Sequence, residues 1–159
     1  MCMCSQLARI PRFSDRQPFA HFHCEKDVYV AKSRISGYGL FAKNCIPKDS
    51  MACYYSGALV RLAQTPDSND WVAHVDKVWG IDAQSMHNLS GRWANHSLAH
   101  NAKIAMPDAG LHYDGRIKRY CLLIWTLRDI DRNEEITVSY GKGYWTIRGV
   151  LSPYYYTAL

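Results

Sequence analysis

Two short segments of this sequence carry the side chains best suited to chemistry. The first, Gly91 to Asn101, reads Gly-Arg-Trp-Ala-Asn-His-Ser-Leu-Ala-His-Asn and so places two amides and two histidines close together. Amide side chains are costly to bury without hydrogen-bond partners, and a simple turn needs only one or two of them. The second segment, Glu135 to Gly141, ends in Tyr140-Gly141. A tyrosine that ends a strand can project its phenol into a site.

Two glycine motifs lie upstream of these segments. Gly37-Tyr38-Gly39 permits positive φ and lets a ligand approach the backbone, although a tight turn between strands explains it equally well. Tyr55 stands two residues before Gly57, which is also compatible with a core tyrosine beside a bulge. Neither motif is specific by itself.

In chain order, these elements resemble the motifs of the SET-domain lysine methyltransferases. The family shows a glycine motif, Tyr-X-Gly, an Arg-Phe-X-Asn-His-Ser segment closed by asparagine, and Glu-Leu-X-X-X-Tyr. The resemblance runs from about Val28 to Gly141. It departs from the family at His100, where a proline is usual, and at Leu98, which replaces a cysteine of many relatives. No Cys-X-Cys follows Tyr140, so we expect no zinc-bound tail. The N-terminal Cys2, Cys4, His21, His23 and Cys24 have a spacing that fits no common zinc finger, so we predict no metal site.

The resemblance implies a binding site for S-adenosylmethionine. The backbone around Tyr38 would lie along the methionine part of this cofactor, Asn95 would hydrogen-bond its amino group, and His96 would meet the adenine mainly through its backbone. Asn101 would help to lock the family's pseudoknot, in which the last strand passes near this loop. The predicted cofactor-binding residues are Gly37, Tyr38, Gly39, Arg92, Asn95 and His96.

The resemblance also implies which residues face the reacting lysine. Tyr140 would lie beside the transferring methyl group and Tyr55 would line the lysine channel, so both are predicted as catalytic residues. The remaining predicted channel residues are Ile104, Tyr144 and Trp145. Methyl transfer requires a neutral lysine, which burial and a nearby cation both favour, and it requires no dedicated general base.

Composition limits the classes of protein that fit. The chain has 159 residues, 48% of them apolar and 21% charged, which suits one globular domain and argues against disorder. Its net charge of +5 comes from scattered residues without a nucleic-acid fingerprint, so we expect no direct nucleic-acid role. We find no apolar run long enough for a membrane and no signal sequence at the start, which predicts an intracellular protein with reduced cysteines.

The apolar pattern predicts a mostly β domain, and the resemblance specifies a SET-domain β-clip fold of several short-stranded sheets with a pseudoknot and few short helices. We expect an N-terminal arm over 1–26, a SET domain over 27–141 with an insert at about 63–90, and an aromatic tail over 142–159 that closes the lysine channel. The predicted strands are Val28–Ala31, Leu40–Ala42, Met51–Val60 interrupted at Gly57, Trp71–Val75, Val78–Asp82, Lys103–Met106, Ile117–Leu127 and Glu135–Tyr140.

The expected function is that of an S-adenosylmethionine-dependent protein-lysine N-methyltransferase acting on a histone tail. Two alternatives are a SET-fold binding module without turnover, against which Tyr140 argues, and a methyltransferase of a non-histone protein. Histone modification would place the chain in the nucleus or on chromatin, and another substrate in the cytoplasm. A domain this short offers little surface for substrate capture, which makes a homodimer a further expectation.

Overall fold

The structure is a computed structural model that describes residues 25–86, 89–115 and 119–149. Most regular structure in these ranges is β-strand, as predicted. The strands in chain order are β1 Val28–Lys32, β2 Tyr38–Ala42, β3 Met51–Arg61, β4 Val72–His74, β5 Trp79–Asp82, β6 Asn95–His96, β7 Ala102–Ala105, β8 His112–Asp114, β9 Arg119–Thr126 and β10 Glu135–Val138. Short 3-10 turns occupy Glu25–Asp27, Leu62–Gln64 and Ser90–Trp93, and one α-helix, α1, covers Gly141–Ile147.

The first sheet has the strand order β1-β2-β10-β6. β1 and β2 form an antiparallel pair, and β10 pairs antiparallel with β2 and parallel with β6. The central strands contribute Leu40, Ile136 and Val138, whose side chains are fully buried. Because β10 lies between β2 and β6, it joins the glycine motif to the Asn-His segment.

The second sheet has the order β4-β5-β3-β9-β7, and β8 pairs with β9. β9 is nearly continuously apolar and contacts strands on both edges, which confirms its predicted central position. The predicted interruption at Gly57 is wrong, since β3 continues to Arg61 and its irregularity lies between Met51 and Cys53. Gly57 instead permits close packing, because a Cβ there would lie 2.1 Å from the carbonyl oxygen of Asp82.

Several elements differ from the sequence-based prediction, among them β6 and α1, which were not predicted. The last strand ends at Val138, and Tyr140 has helical backbone angles (φ −76°, ψ −12°) at the start of α1. β8 was not predicted, because three residues carry too short a pattern to be read. None of the helices in the described ranges is long and apolar enough to cross a membrane.

Candidate active site

The Asn-His segment is fixed by the strand that the sequence places last. Asn95 and His96 pair in parallel with Thr137 and Val138. The His96 Nδ1 atom accepts a hydrogen bond from the backbone amide of Tyr140 at 3.1 Å. Burial, followed by the neighbouring His100, lowers the pKa of His96, so the ring is neutral and able to accept this bond at neutral pH. The imidazole thereby holds the backbone of Tyr140.

Asn101 locks the same strand from the other side. Its side-chain amide donates to the Glu135 carbonyl oxygen at 2.8 Å and to Glu134 Oε1 at 3.1 Å, while its carbonyl oxygen accepts the Thr137 amide at 2.9 Å. The residue is 2% exposed. This buried amide bonds to β10 and to the residue that precedes it, which fits the predicted locking role. The pseudoknot as a whole remains a prediction.

The amide of Asn95 lies at the centre of a polar cluster. Its Nδ2 atom donates to the carbonyl oxygens of Ser36 and Tyr38 and to Glu135 Oε1, at 3.2, 3.0 and 3.0 Å. Within the described ranges, no group donates to its Oδ1 atom. The Nδ2 group therefore donates to the backbone of the glycine motif and to Glu135, and the Oδ1 atom can accept a hydrogen bond from a ligand.

Glu135 is the residue of this cluster that sequence reasoning missed. Its carboxylate also accepts from the Ser33 hydroxyl at 2.8 and 3.0 Å. A Cβ at Gly39 would lie 2.3 Å from Glu135 Oε1, so only glycine leaves room for this arrangement. Gly37 has a φ of +45°, which favours glycine in the turn. The signal for this role in the sequence is the glutamate that opens the Glu-Ile-X-X-X-Tyr motif.

Arg92 is buried against two tryptophans. Its guanidinium carbon lies 3.8 Å from the ring centre of Trp71 and 4.9 Å from that of Trp93. Its NH1 group donates to the carbonyl oxygens of Ala83 and Gln84 at 3.1 and 2.7 Å. These contacts join the 3-10 turn to the end of the insert, so the structure gives Arg92 an anchoring role. Its predicted contact with cofactor stays a prediction.

A cavity of about 420 Å³ lies between the insert, β3 and α1. It brings together five predicted site residues from distant parts of the chain. These are Tyr55, Arg92, Ile104, Tyr140 and Tyr144. Trp145, also predicted for the channel, packs behind Tyr140 instead, with its ring centre 5.1 Å from that of His96. The described lining includes Arg92 and Ala94 but not Trp145.

Each of the two buried phenols of this cavity donates its hydroxyl proton to a backbone carbonyl oxygen. The Tyr140 hydroxyl donates to the Ala94 carbonyl oxygen at 3.0 Å, and the Tyr55 hydroxyl donates to the Trp71 carbonyl oxygen at 2.5 Å. Burial is the largest cause that raises the pKa of each phenol above its usual value. Both therefore stay protonated at neutral pH. Since each proton is committed to a carbonyl, the oxygen lone pairs can accept hydrogen bonds from a ligand.

The chemistry of the polar cluster fits the cationic part of S-adenosylmethionine. Acceptor oxygens dominate it, namely the free side of the Asn95 amide and the carboxylate of Glu135. The aromatic rings of Tyr38 and Trp93 meet edge to face at 5.8 Å beside it and suit a cation as well. A positively charged ammonium or sulfonium group would meet complementary partners here.

Comparison with known proteins identifies a matching family. The family model described as the SET domain matches residues 37–141. A histone-lysine N-methyltransferase of Chaetomium globosum, described as specific for H3 lysine 4, is 33% identical over 73% of the chain. Histone-lysine N-methyltransferase mes-4 of Caenorhabditis elegans is 30% identical over 71%. The matched regions cover 11% and 14% of the length of these relatives.

Solved structures support the fold. A crystal structure of a candidate histone methyltransferase from Plasmodium falciparum superposes with a TM-score of 0.55. The match covers 75% of this chain and 96% of the other, at 20% identity. At that identity the likeness concerns the fold alone, and it confirms the predicted mostly β SET architecture. The chain belongs to the SET-domain family.

Proposed function

We propose that this chain is an S-adenosylmethionine-dependent protein-lysine N-methyltransferase. The observation that carries the proposal is the convergence of two buried phenols, Tyr55 and Tyr140, on one cavity beside the Asn95 cluster. The histone-lysine methyltransferases to which the chain is similar support the same reaction class. The cavity between α1 and the insert would then be the lysine channel.

The proposed roles follow from the hydrogen bonds of the phenols. The amine of lysine attacks a methyl carbon only when it is neutral, and its reference pKa of about 10.4 makes deprotonation costly at pH 7. Acceptor lone pairs on Tyr55 and Tyr140 would orient the amine N–H groups and the polarised methyl C–H groups. The apolar wall formed by Ile104 and Ala94 would exclude water and favour the neutral amine.

S-adenosylmethionine would supply an electrophilic methyl group on a sulfonium. Asn95 would accept a hydrogen bond from its ammonium group, and Glu135 would add a negative charge nearby. The backbone from Gly37 to Gly39 would lie along its methionine part. His96 would contribute backbone contacts and, through its ring, hold Tyr140 in place.

The histone relatives favour a histone tail as substrate and hence a nuclear or chromatin location. At the cavity, Asp67 supplies a carboxylate that suits a basic peptide, whereas Asp70 is paired with Arg148. We also propose the division into a SET domain over 27–141 and a tail over 142–159, of which α1 forms the first part. The arm at 1–26 and the end of the tail lie mostly outside the described residues. A homodimer remains part of this proposal.

The direct test is incubation with isotopically labelled S-adenosylmethionine and core histones, followed by detection of label on protein. Label on histone lysine is the expected result. Binding of the cofactor without transfer to histones or to any lysate protein would contradict the enzyme and favour a silent SET-fold binding module. Label on another protein alone would retain the reaction and overturn the histone assignment.

Asn95→Ala is expected to weaken S-adenosylmethionine binding by about tenfold or more. The variant removes an acceptor for a charged donor, and such hydrogen bonds contribute about 1.5–3 kcal/mol. Isothermal titration calorimetry measures the affinity, and thermal denaturation checks that the variant folds. Asn44→Ala is the matched control, because this amide is exposed and bonds only to Asp27 within the described chain. Equal affinities in a folded Asn95→Ala protein would contradict the assignment.

The rate of the chemical step is expected to rise as pH increases from about 7 to about 9. The neutral fraction of a lysine grows about tenfold per pH unit below its pKa. Tyr55 and Tyr140 titrate well above their usual range because they are buried, so their ionisation does not reverse the rise in this window. Single-turnover rates across this range measure the effect. A fall in rate between about pH 8 and about pH 9, with the fold intact, would contradict neutral phenols in this role.

A further inference from the structure

One carboxylate of the insert contacts two side chains at the C-terminal side of the cavity. Asp70 Oδ1 accepts a hydrogen bond from the Tyr144 hydroxyl at 3.1 Å. The same oxygen lies 2.8 Å from Arg148 Nε and 2.6 Å from Arg148 NH2. Asp70 precedes β4, Tyr144 is in the middle of α1, and Arg148 follows its last turn. One carboxylate oxygen of the insert thus accepts hydrogen bonds from two side chains at the C-terminal end of the structure.

Arg148 completes this contact by folding over the tyrosine. Its guanidinium carbon lies 3.7 Å from the ring centre of Tyr144. NH1 donates to the Tyr144 carbonyl oxygen at 3.1 Å, and NH2 donates to the Asn69 carbonyl oxygen at 3.3 Å. The Tyr144 ring is therefore held from one face by the cation and at its hydroxyl by Asp70. We call Asp70, Tyr144 and Arg148 the clasp.

The clasp forms part of the cavity wall. All three of its residues line the cavity. The Tyr144 ring also meets Tyr140 edge to face at 4.8 Å. Any movement of Tyr144 therefore changes both the wall of the cavity and the packing of the phenol proposed to act in catalysis.

We propose that Asp70 is a positioning residue, which holds α1 against the insert through Tyr144 and Arg148 and so closes the lysine channel in a salt-sensitive manner. Its effect on turnover rests on the proposed methyltransferase function, whereas its effect on α1 does not. The helix needs such support, because it has only seven residues, two of them glycines, and no side-chain N-cap bond. The side chain of Asp70 is 58% exposed, so salt can screen the pair and loosen the wall without unfolding the core.

The test is hydrogen–deuterium exchange of the segment 141–149 in the full chain. Asp70→Asn and Arg148→Gln are each expected to speed exchange of the helix amides by up to about fivefold, the range for an exposed ion pair. The double variant should speed exchange by less than the product of the two single effects, because Asp70 and Arg148 share one interaction. In about 0.5 M salt, the helix amides of the wild-type protein should exchange nearly as fast as those of the variants. Asp108→Asn, the same charge change in an exposed turn outside the cavity, should match wild type.

Two results would overturn the proposal. One is exchange of the helix at the wild-type rate in either single variant. The other is faster exchange throughout the described core together with a lower melting temperature, since that would make Asp70 a general stabilising residue instead of a positioning one.

Steady-state kinetics supplies the functional readout. Asp70→Asn is expected to raise KM for a lysine peptide several-fold with a smaller change in kcat, because it loosens a wall that grips the substrate. The KM of Tyr144→Phe should lie between those of Asp70→Asn and wild type. This variant loses the hydrogen bond of the hydroxyl and keeps the Arg148–Asp70 pair. An unchanged KM in both variants would contradict the role in the channel. If no form of the protein transfers methyl groups, the proposed function fails, and the exchange experiment still tests the clasp.

Discussion

Replacement of Tyr140 by phenylalanine is expected to lower the rate of methyl transfer by about 100-fold or more, the scale seen when one preorganised polar group is removed from an active site. The hydroxyl bonds to the Ala94 carbonyl, which fixes the direction of its lone pairs. The ring packs against His96 and Tyr144, and phenylalanine retains these contacts. The substitution is therefore expected to lower the rate of methyl transfer without changing the packing of α1.

The measurement is the single-turnover rate at saturating cofactor and substrate, accompanied by thermal denaturation. Stability should fall by about 1 kcal/mol, the typical contribution of one hydrogen bond. Tyr113→Phe is the control, because it makes the same change on an exposed ring of β8 outside the cavity. A Tyr140→Phe protein that keeps more than a tenth of the wild-type rate would exclude a central role for this phenol.

The largest effect on stability is expected for Asn101→Ala. The substitution removes the partners of the Thr137 amide and the Glu135 carbonyl and leaves a small cavity beneath β10. Each buried polar group without a partner costs about 1–3 kcal/mol, which predicts a total loss of about 3 kcal/mol. For a domain of this size, that lowers the melting temperature by about 10 °C.

Denaturant unfolding followed by circular dichroism measures this loss. Asn44→Ala again provides the control, since its amide is exposed, and surface changes of this kind alter stability by less than about 0.5 kcal/mol. Equal unfolding midpoints for the two variants would show that Asn101 does not hold β10. Binding of S-adenosylmethionine should weaken in Asn101→Ala as well, because β10 carries Glu135 and pairs with Asn95.

The strands with regular patterns were predicted well from sequence. β1 begins at the predicted residue, and the apolar segment that became β9 lies centrally as expected. These predictions succeeded because alternation and continuous apolarity are local properties of the chain. α1 was missed for the same reason, since its sequence, with two glycines in seven residues, has weak helix propensity. Its formation depends on the contacts of Tyr144 with Asp70 and of Trp145 with His96, both distant in the chain.

The sequence by itself determined the family, the mostly β architecture and the order of the motifs that hold the candidate site. Tertiary structure alone decided which of these residues meet. Glu135 joins Asn95 to Ser33, Tyr55 and Tyr140 share one cavity, and Asp70 pairs with Arg148 across 78 positions of the chain. The physical reason is that hydrogen bonds and ring contacts between side chains depend on distance in space, whereas a single sequence records only distance along the chain.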